Sequence, residues 1–298
     1  MSFHQINEQC YYYESAVNIG YVTDGITGLL IDTGIDRSSV KKVEKELRKR
    51  ELPLTHLFIS HAHADHYGGA AYLQDNYDLH TLATPFEAAI LQNPPLEPLY
   101  LFGGNDPLPE LRNKFLEGPA MKVDELVEEG EFTIGTLPIK SISTPGHSYN
   151  QLSLVINDTL YAADAYFSVD QLKKHKIPYI TDAHETIESL KKLLNLSCSG
   201  GLPGHGTYER DFKATVQANI DYHERLLHWV EANLEEAMTH EAIVAKMCAE
   251  FEVHAPQLSQ WLLYRTAVTA YLTGLIKRKK ITYKVSDFCW TFYRVGCS

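Results

Sequence analysis

No stretch of this 298-residue sequence approaches the ~20 apolar residues needed to cross a bilayer. Its start, MSFHQINEQC, lacks the basic flank and apolar run of a secretory signal. Residue 2 is Ser rather than Gly, and the closing Val-Gly-Cys-Ser is no prenylation box, so no lipid anchor is expected. Cysteine is scarce: Cys10, Cys198, Cys248, Cys289 and Cys297 are odd in number, scattered and without CxxC spacing. They read as free thiols in a reducing compartment, and the expectation is a cytoplasmic protein with no membrane partner. Positive charge is in deficit too, with 27 Lys and Arg against 38 Asp and Glu. A net charge of −11 argues against general affinity for nucleic acid or anionic lipid.

What remains is an ordinary globular composition, long enough for a full core and for about two domains. Residues 1–215 hold 29 acids and 18 bases, whereas residues 216–298 hold nine of each. In the first stretch strand and helix signals interleave. YYYES, VNIGYVTD, TGLLIDTG and LTHLFIS read as strands, and SSVKKVEKELRKREL as a helix capped by Ser38 or Ser39. PFEAAILQNP reads as a helix stopped by prolines, FTIGT, LPIKSISTPG, QLSLVIN and TLYAADAYF as strands, and HETIESLKKLLNL as a helix. Residues 93–120 carry six prolines and three glycines, too many for a regular element. That segment is either a surface connection or a lid, with Tyr100 and Phe102 as candidate pocket walls. Interleaving over 1–215 indicates an α/β domain. From 216 onward three helical stretches precede two alternating strands, a small winged-helix-like unit. Trp229, Trp261, Leu262, Leu263, Tyr264, Tyr271 and Trp290 fall at core-like spacings there, and Lys277-Arg278-Lys279-Lys280 reads as a solvated helix end.

The strongest chemical signal is His61-Ala62-His63-Ala64-Asp65-His66, directly after a strand. Imidazole and carboxylate are donors that divalent metals such as zinc select. Alternation puts His61 and His63 on one side, and Asp65 and His66 then project elsewhere. Four donors so crowded suit two neighbouring ions better than one tetrahedral ion. With this composition the pattern arises by chance about 0.002 times per chain. His147 in Ser-Thr-Pro-Gly-His-Ser, Asp164 after TLYAA and His205 in Leu-Pro-Gly-His-Gly stand in similar strand-end turns. His175, His184, His223 and His228 lack that context and read as surface or packing residues.

SHAHADHYGG, STPGHSYNQLSL, YAADAYF and GLPGHG, in this order and with LLIDTG upstream, resemble the metal motifs of the metallo-β-lactamase-fold superfamily. The resemblance covers about residues 10–210 and implies a four-layer αββα sandwich. The ligand set is similar to that of glyoxalase II, and the tail resembles the winged-helix subgroup around the beta-lactamase-like protein 2 family. By that resemblance His61, His63 and His147 bind one metal and Asp65, His66 and His205 a second, with Asp164 bridging and Asp32 orienting the metal loop. The expected cofactor is two divalent ions, zinc first, with iron or manganese compatible with the same ligands.

Two such ions acidify a shared water into a nucleophile at neutral pH, and Asp65 is placed to orient it and shuttle its proton. The expected reaction is hydrolysis of an ester, thioester or lactone in a small molecule. No Cys occupies a ligand position, unlike the cysteine-containing metallo-β-lactamases, and no basic helical glutathione contacts of glyoxalase II are identified. Tyr166 follows Asp164 by two positions, where acyl-homoserine-lactone lactonases have Tyr at the third. It is a candidate pocket residue or a packing one. Alternatives are a nuclease or phosphodiesterase, disfavoured by charge, a mono-iron persulfide dioxygenase, disfavoured by the full second ligand set, and a non-catalytic sensor. A homodimer is left open.

Overall fold

The structure, a computed structural model, describes residues 2–296. Cys297 lies outside the described residues, and the other four cysteines are free thiols. Two compact units divide the chain. The first takes the residues up to Thr144, then Asn150–Ser168 and Leu196–Phe212. The second takes Pro145–Tyr149, Val169–Asn195 and the chain from Lys213 onward. The boundary expected at 215 lies two residues from the start of that last segment.

In the first unit a seven-stranded sheet runs in chain order. Its strands are β1 (Ser2–Gln5), β2 (Cys10–Glu14), β3 (Ile19–Thr23), β4 (Gly28–Ile31), β5 (His56–Phe58), β6 (His80–Ala83) and β7 (Glu125–Leu126). Up to β4 short connections give antiparallel pairs. Beyond it the pairs are parallel, because helices carry the chain back between strands. These are α1 (Arg37–Lys49), α2 (Ala64–Tyr67), α3 (Ala70–Gln74), α4 (Pro85–Gln92) and α5 (Leu96–Leu101). Asp36, not Ser38 or Ser39, caps α1, accepting from the Ser39 N–H at 3.0 Å. The proline-rich segment also departs from expectation, since it contains α5. Pro98 sits in that helix's first turn, where its missing N–H has no intrahelical partner to lose.

A five-stranded sheet holds β8 (Gly130–Ile134), β9 (Leu137–Ser143), β10 (Leu152–Ile156), β11 (Thr159–Ala163) and β12 (Gly200–Pro203), in the order β12-β11-β10-β9-β8. Strand alternation decides what each face buries. Leu29 and Ile31 join Val22 and Phe58 against Leu137, Ile139, Leu154, Ile156 and Tyr161, forming the core between the sheets. Leu30, Tyr21, Leu57 and Ile59 point the other way, onto Val40, Val43 and Leu47 of α1 and onto Tyr67 and Leu73.

The second unit holds α6 (Val169–His175), α7 (Ala183–Leu194), most of α8 (Phe212–Ala232), α9 (His240–Glu250) and α10 (Leu258–Lys277). Its three-stranded sheet has the order β13-β15-β14, from β13 (Met238–Thr239), β14 (Ile281–Ser286) and β15 (Cys289–Arg294). Ala183 and Ile187 of α7 share one buried cluster with Leu226, Val268, Tyr271 and Phe292, which is why α7 groups with the tail. Leu262 and Tyr271 are core as expected, and Trp229 packs on Phe251. Trp261 and Trp290 are instead exposed, the latter stacked flat on His240 at 5.4 Å. Within the basic run Lys277 pairs with Asp182 at 2.5 Å and Arg278 with Glu224 at 2.8 Å, so two of its four charges are spent on ion pairs.

Leu154 is buried between the two sheets of the first unit. Leu154→Ala should cost about 2–5 kcal/mol of stability, read as a lower denaturant midpoint with an unchanged slope.

Candidate metal centre

Strand ends of both sheets in the first unit supply the site. Asp32 follows β4, Ser60 and His61 follow β5, Asp65 and His66 sit on α2, Asp164 follows β11, and His205 follows β12. The donor atoms of His61, His66 and Asp164 lie within 4.8 Å of one another, and so do those of Asp65, His66 and His205. The His61 and His63 rings are 4.6 Å apart, and the His61 and His66 rings 4.1 Å. His66 Nε2 is 3.4 Å from Asp164 Oδ1, while His205 Nε2 is 3.4 Å from Asp164 Oδ2 and 3.5 Å from Asp65 Oδ2. Asp164 therefore presents one carboxylate oxygen to each histidine.

Hydrogen bonds fix which ring nitrogen faces the cluster. Asp32 accepts from the Ser60 N–H at 2.9 Å, the Ser60 hydroxyl at 2.8 Å and His66 Nδ1 at 2.8 Å. Because the Ser60 hydroxyl gives its one proton to Asp32, its oxygen accepts from His61 Nδ1 at 3.0 Å. His205 Nδ1 donates to the Ala16 carbonyl at 2.8 Å. In the second unit His147 Nδ1 donates to the Tyr179 carbonyl at 3.0 Å. Each of these four rings is thus held through Nδ1, an arrangement that in a metal-binding imidazole turns Nε2 toward the ion. His66 Nε2 is buried and makes no hydrogen bond. An orphaned imidazole nitrogen beside a buried carboxylate fits a divalent ion.

The electrostatics agree. Burial disfavours an imidazolium at His205, yet Asp164 and Asp65 outweigh it and hold the pKa at about 10. Burial likewise opposes charge on His66, where Asp164 and Asp32 prevail and raise it well above the ordinary value. At Asp65 burial works against the carboxylate, but the His205 hydrogen bond and the charges of His66 and His205 hold it below the usual range. The carboxylates make this cluster a cation site.

Several supporting residues carry no sequence signal. Asn18 ties down GLPGHG, its Nδ2 donating to Pro203 O at 2.9 Å and Gly206 O at 2.6 Å, and its N–H to Gly204 O at 2.8 Å. Glu87, on α4, accepts from the Ala62 N–H at 2.8 Å and the Asn150 N–H at 3.1 Å. Both read in sequence as ordinary surface polars, and only burial distinguishes them. Glu97 on α5 is buried with Oε2 unpartnered, and burial, then Asp65 and Glu87, push its carboxyl well up. Of the candidate pocket residues, Tyr100 is exposed and Phe102 half-buried. Tyr166 is wholly buried, stacked on Phe212 at 6.4 Å. In the second unit His223 is buried, its Nδ1 2.8 Å from the Tyr271 hydroxyl. None of His175, His184, His223 and His228 falls in a candidate metal group among the described residues.

Residues 12–205 match the metallo-beta-lactamase superfamily, and the chain belongs to it. A lactamase-like protein of Aspergillus niger is 24% identical over 220 residues, covering 73% of this chain and 58% of that protein. An atrochrysone carboxyl ACP thioesterase of Emericella nidulans is 25% identical over 205 residues, covering 68% of this chain and 55% of that enzyme. The chain therefore spans little more than half the length of these curated relatives. Among solved structures, a beta-lactamase domain protein from Burkholderia ambifaria has a TM-score of 0.75 at 18% identity, covering 99% of this chain and 94% of that one. A metallo-beta-lactamase family protein from Thermus thermophilus scores 0.70 at 15% identity, covering 94% of each chain. These likenesses confirm the expected α/β fold.

Gly204 is where a side chain cannot be added, since a Cβ there would lie 2.0 Å from Asp164 Oδ1. Gly204→Ala should lower metal content at least tenfold while the far-ultraviolet circular dichroism stays native. With His205 held at about 10, metal uptake at pH 7.5 must expel protons. Calorimetry in buffers of different ionisation heat should show net proton release, and affinity that falls as pH falls. Uptake without protons would contradict this electrostatic account.

Proposed function

We propose that the chain is a dinuclear metal-dependent hydrolase that cleaves a thioester, ester or lactone in a small molecule, thioesters first. The observation that carries this reading is the clustered Nε2 and carboxylate donors of His61, Asp65, His66, Asp164 and His205 in one unit. By the family pattern His61, His63 and His147 would hold one ion and Asp65, His66 and His205 the other, with Asp164 shared. The name of the thioesterase relative, and the absence of a cysteine ligand, support thioesters over antibiotic lactams. Zinc suits the imidazole-rich donors best.

Divalent ions bound there would acidify a water and polarise the scissile carbonyl. The protein's own part is to orient and to move a proton. Asp65 would take the proton of the attacking water and return one to the leaving group. Asp32 and Ser60 hold the His61 and His66 rings against rotation throughout. Tyr100 and Phe102, on the segment over 93–120, are proposed walls of the acyl pocket. A winged-helix-like tail and a cytoplasmic location complete the reading. No helix among the described residues is long and apolar enough to cross a membrane.

Protein purified without chelators or immobilised metal should contain about two zinc-type ions per chain, and Asp164→Ala should lose both together. Asp65→Ala should retain a native melting profile and lose about 10²–10⁴-fold in thioester turnover. A single iron per chain, or wild-type turnover in Asp65→Ala, would overturn the proposal.

A further inference from the structure

In the first unit, the face that α1 turns away from the sheet is cationic along its length. Arg37, Lys41, Lys42, Lys45, Arg48 and Lys49 are exposed there, and exposed Arg50 follows. Seven of the chain's 27 bases thus fall between residues 37 and 50, and no other Lys or Arg occurs before Arg112. In a chain of net charge −11 this is a strong segregation. The acids of the helix cancel it only in part, at Arg48 and Arg50. Glu44 is buried and accepts from the Tyr72 and Tyr77 hydroxyls as well as pairing with Arg48 at 2.6 Å. Glu46 meets Arg50 only at 3.4 Å. Aromatic rings prop the cations without neutralising them: Arg37 and Lys41 lie over Tyr72 at 4.8 and 5.2 Å, and Arg50 over Phe3 at 5.0 Å. At the far end Phe3, Tyr13, Lys42, Lys45, Glu46 and Arg50 help line a notch of about 470 Å³.

This face leads away from the metal centre. The Thr33 N–H and hydroxyl both donate to the His66 carbonyl, and the Gly69 N–H donates to Gly34, so the start of α1 is anchored to the ligand-bearing segment. Thirteen helical residues then extend about 20 Å. A free small-molecule substrate would make no use of such a surface.

We propose that the exposed face of α1 docks an acidic carrier protein that presents its acyl group as a thioester on a flexible arm. The carrier sits on the lysine stripe, and its arm spans the length of the helix to the metal centre. The inference rests on the thioester reading above. Charge complementarity selects the occupant: a small acidic protein meets only the cationic helix. A lipid plane or a long polyanion would also meet the acid-rich surface of the rest of the chain.

The test uses the full chain and a fluorescently labelled acidic acyl carrier protein in its phosphopantetheine-bearing form. Wild type should bind the carrier at low salt and at least tenfold more weakly at high salt. Lys41→Glu/Lys45→Glu/Lys49→Glu, one stripe at i, i+4 spacing, should lose at least tenfold in affinity yet cleave an N-acetylcysteamine thioester like wild type. The matching triple Lys→Gln variant should fall between them, and keeps the test open if charge reversal impairs folding. No binding by wild type, equal binding by the variants, or tighter binding of anionic vesicles or RNA than of the carrier would overturn the docking face. A chain that binds the carrier through α1 but cleaves no thioester would overturn the thioester reading instead.

Discussion

The candidate centre depends on one carboxylate. Asp32 is buried at the end of β4 in a left-handed conformation (φ 63°) that a side-chain-bearing residue adopts only at a cost of about 1 kcal/mol. Three hydrogen bonds, from the Ser60 N–H, the Ser60 hydroxyl and His66 Nδ1, offset that cost. Through Ser60 the same carboxylate also sets the His61 ring. Two imidazoles on different elements thereby acquire defined tautomers from a single group that is not itself among the proposed ligands. Without Asp32, the Ser60 N–H and hydroxyl and the His66 Nδ1–H would be left unsatisfied, each costing roughly 1–3 kcal/mol.

The burial that makes the site expensive also makes it selective for cations. Asp164 is nearly inaccessible, and it sits between two histidines. Protons on His66 and His205 balance its charge when nothing else does, which is why both rings are driven up in pKa. A proton held by a buried carboxylate cluster is readily exchanged for a divalent ion, since the ion satisfies several donors at once. Gly204 matters for the same reason, because only hydrogen fits in the space that Asp164 needs.

Much of this was legible in the sequence. HAHADH after an apolar strand, the Pro-Gly-His turns and the Asp after TLYAA marked the candidate donors, because ligand chemistry restricts residue type at fixed places in a turn. The interleaved strand and helix signals gave the α/β class. What escaped was set by tertiary context. Asn18 and Glu87 act through burial that no local pattern announces. Pro98 suggested an irregular segment, but its place in the first turn of α5 made it compatible with helix. Trp261 and Trp290 fell at core spacings, yet they lie toward solvent, since periodicity identifies a stripe without saying how wide the covering layer is.

α7 also bears on how the His147 turn is held. β11 and β12 are parallel neighbours, so the chain between Asp164 and His205 must make a long crossover. The crossover runs through Val169–Asn195, which belongs to the second unit, and Pro145–Tyr149, which carries His147, belongs there as well. The Pro145–Tyr149 turn thus belongs with chain that packs in the helical unit. Gly146 accepts from the Thr181 N–H at 2.7 Å, and Ser189 donates to Pro145 at 2.8 Å, so the His147 turn is held by α7 and the loop before it. Since α7 packs with Tyr271 and Val268 of α10, the stability of the tail and the order of the His147 turn are physically one property.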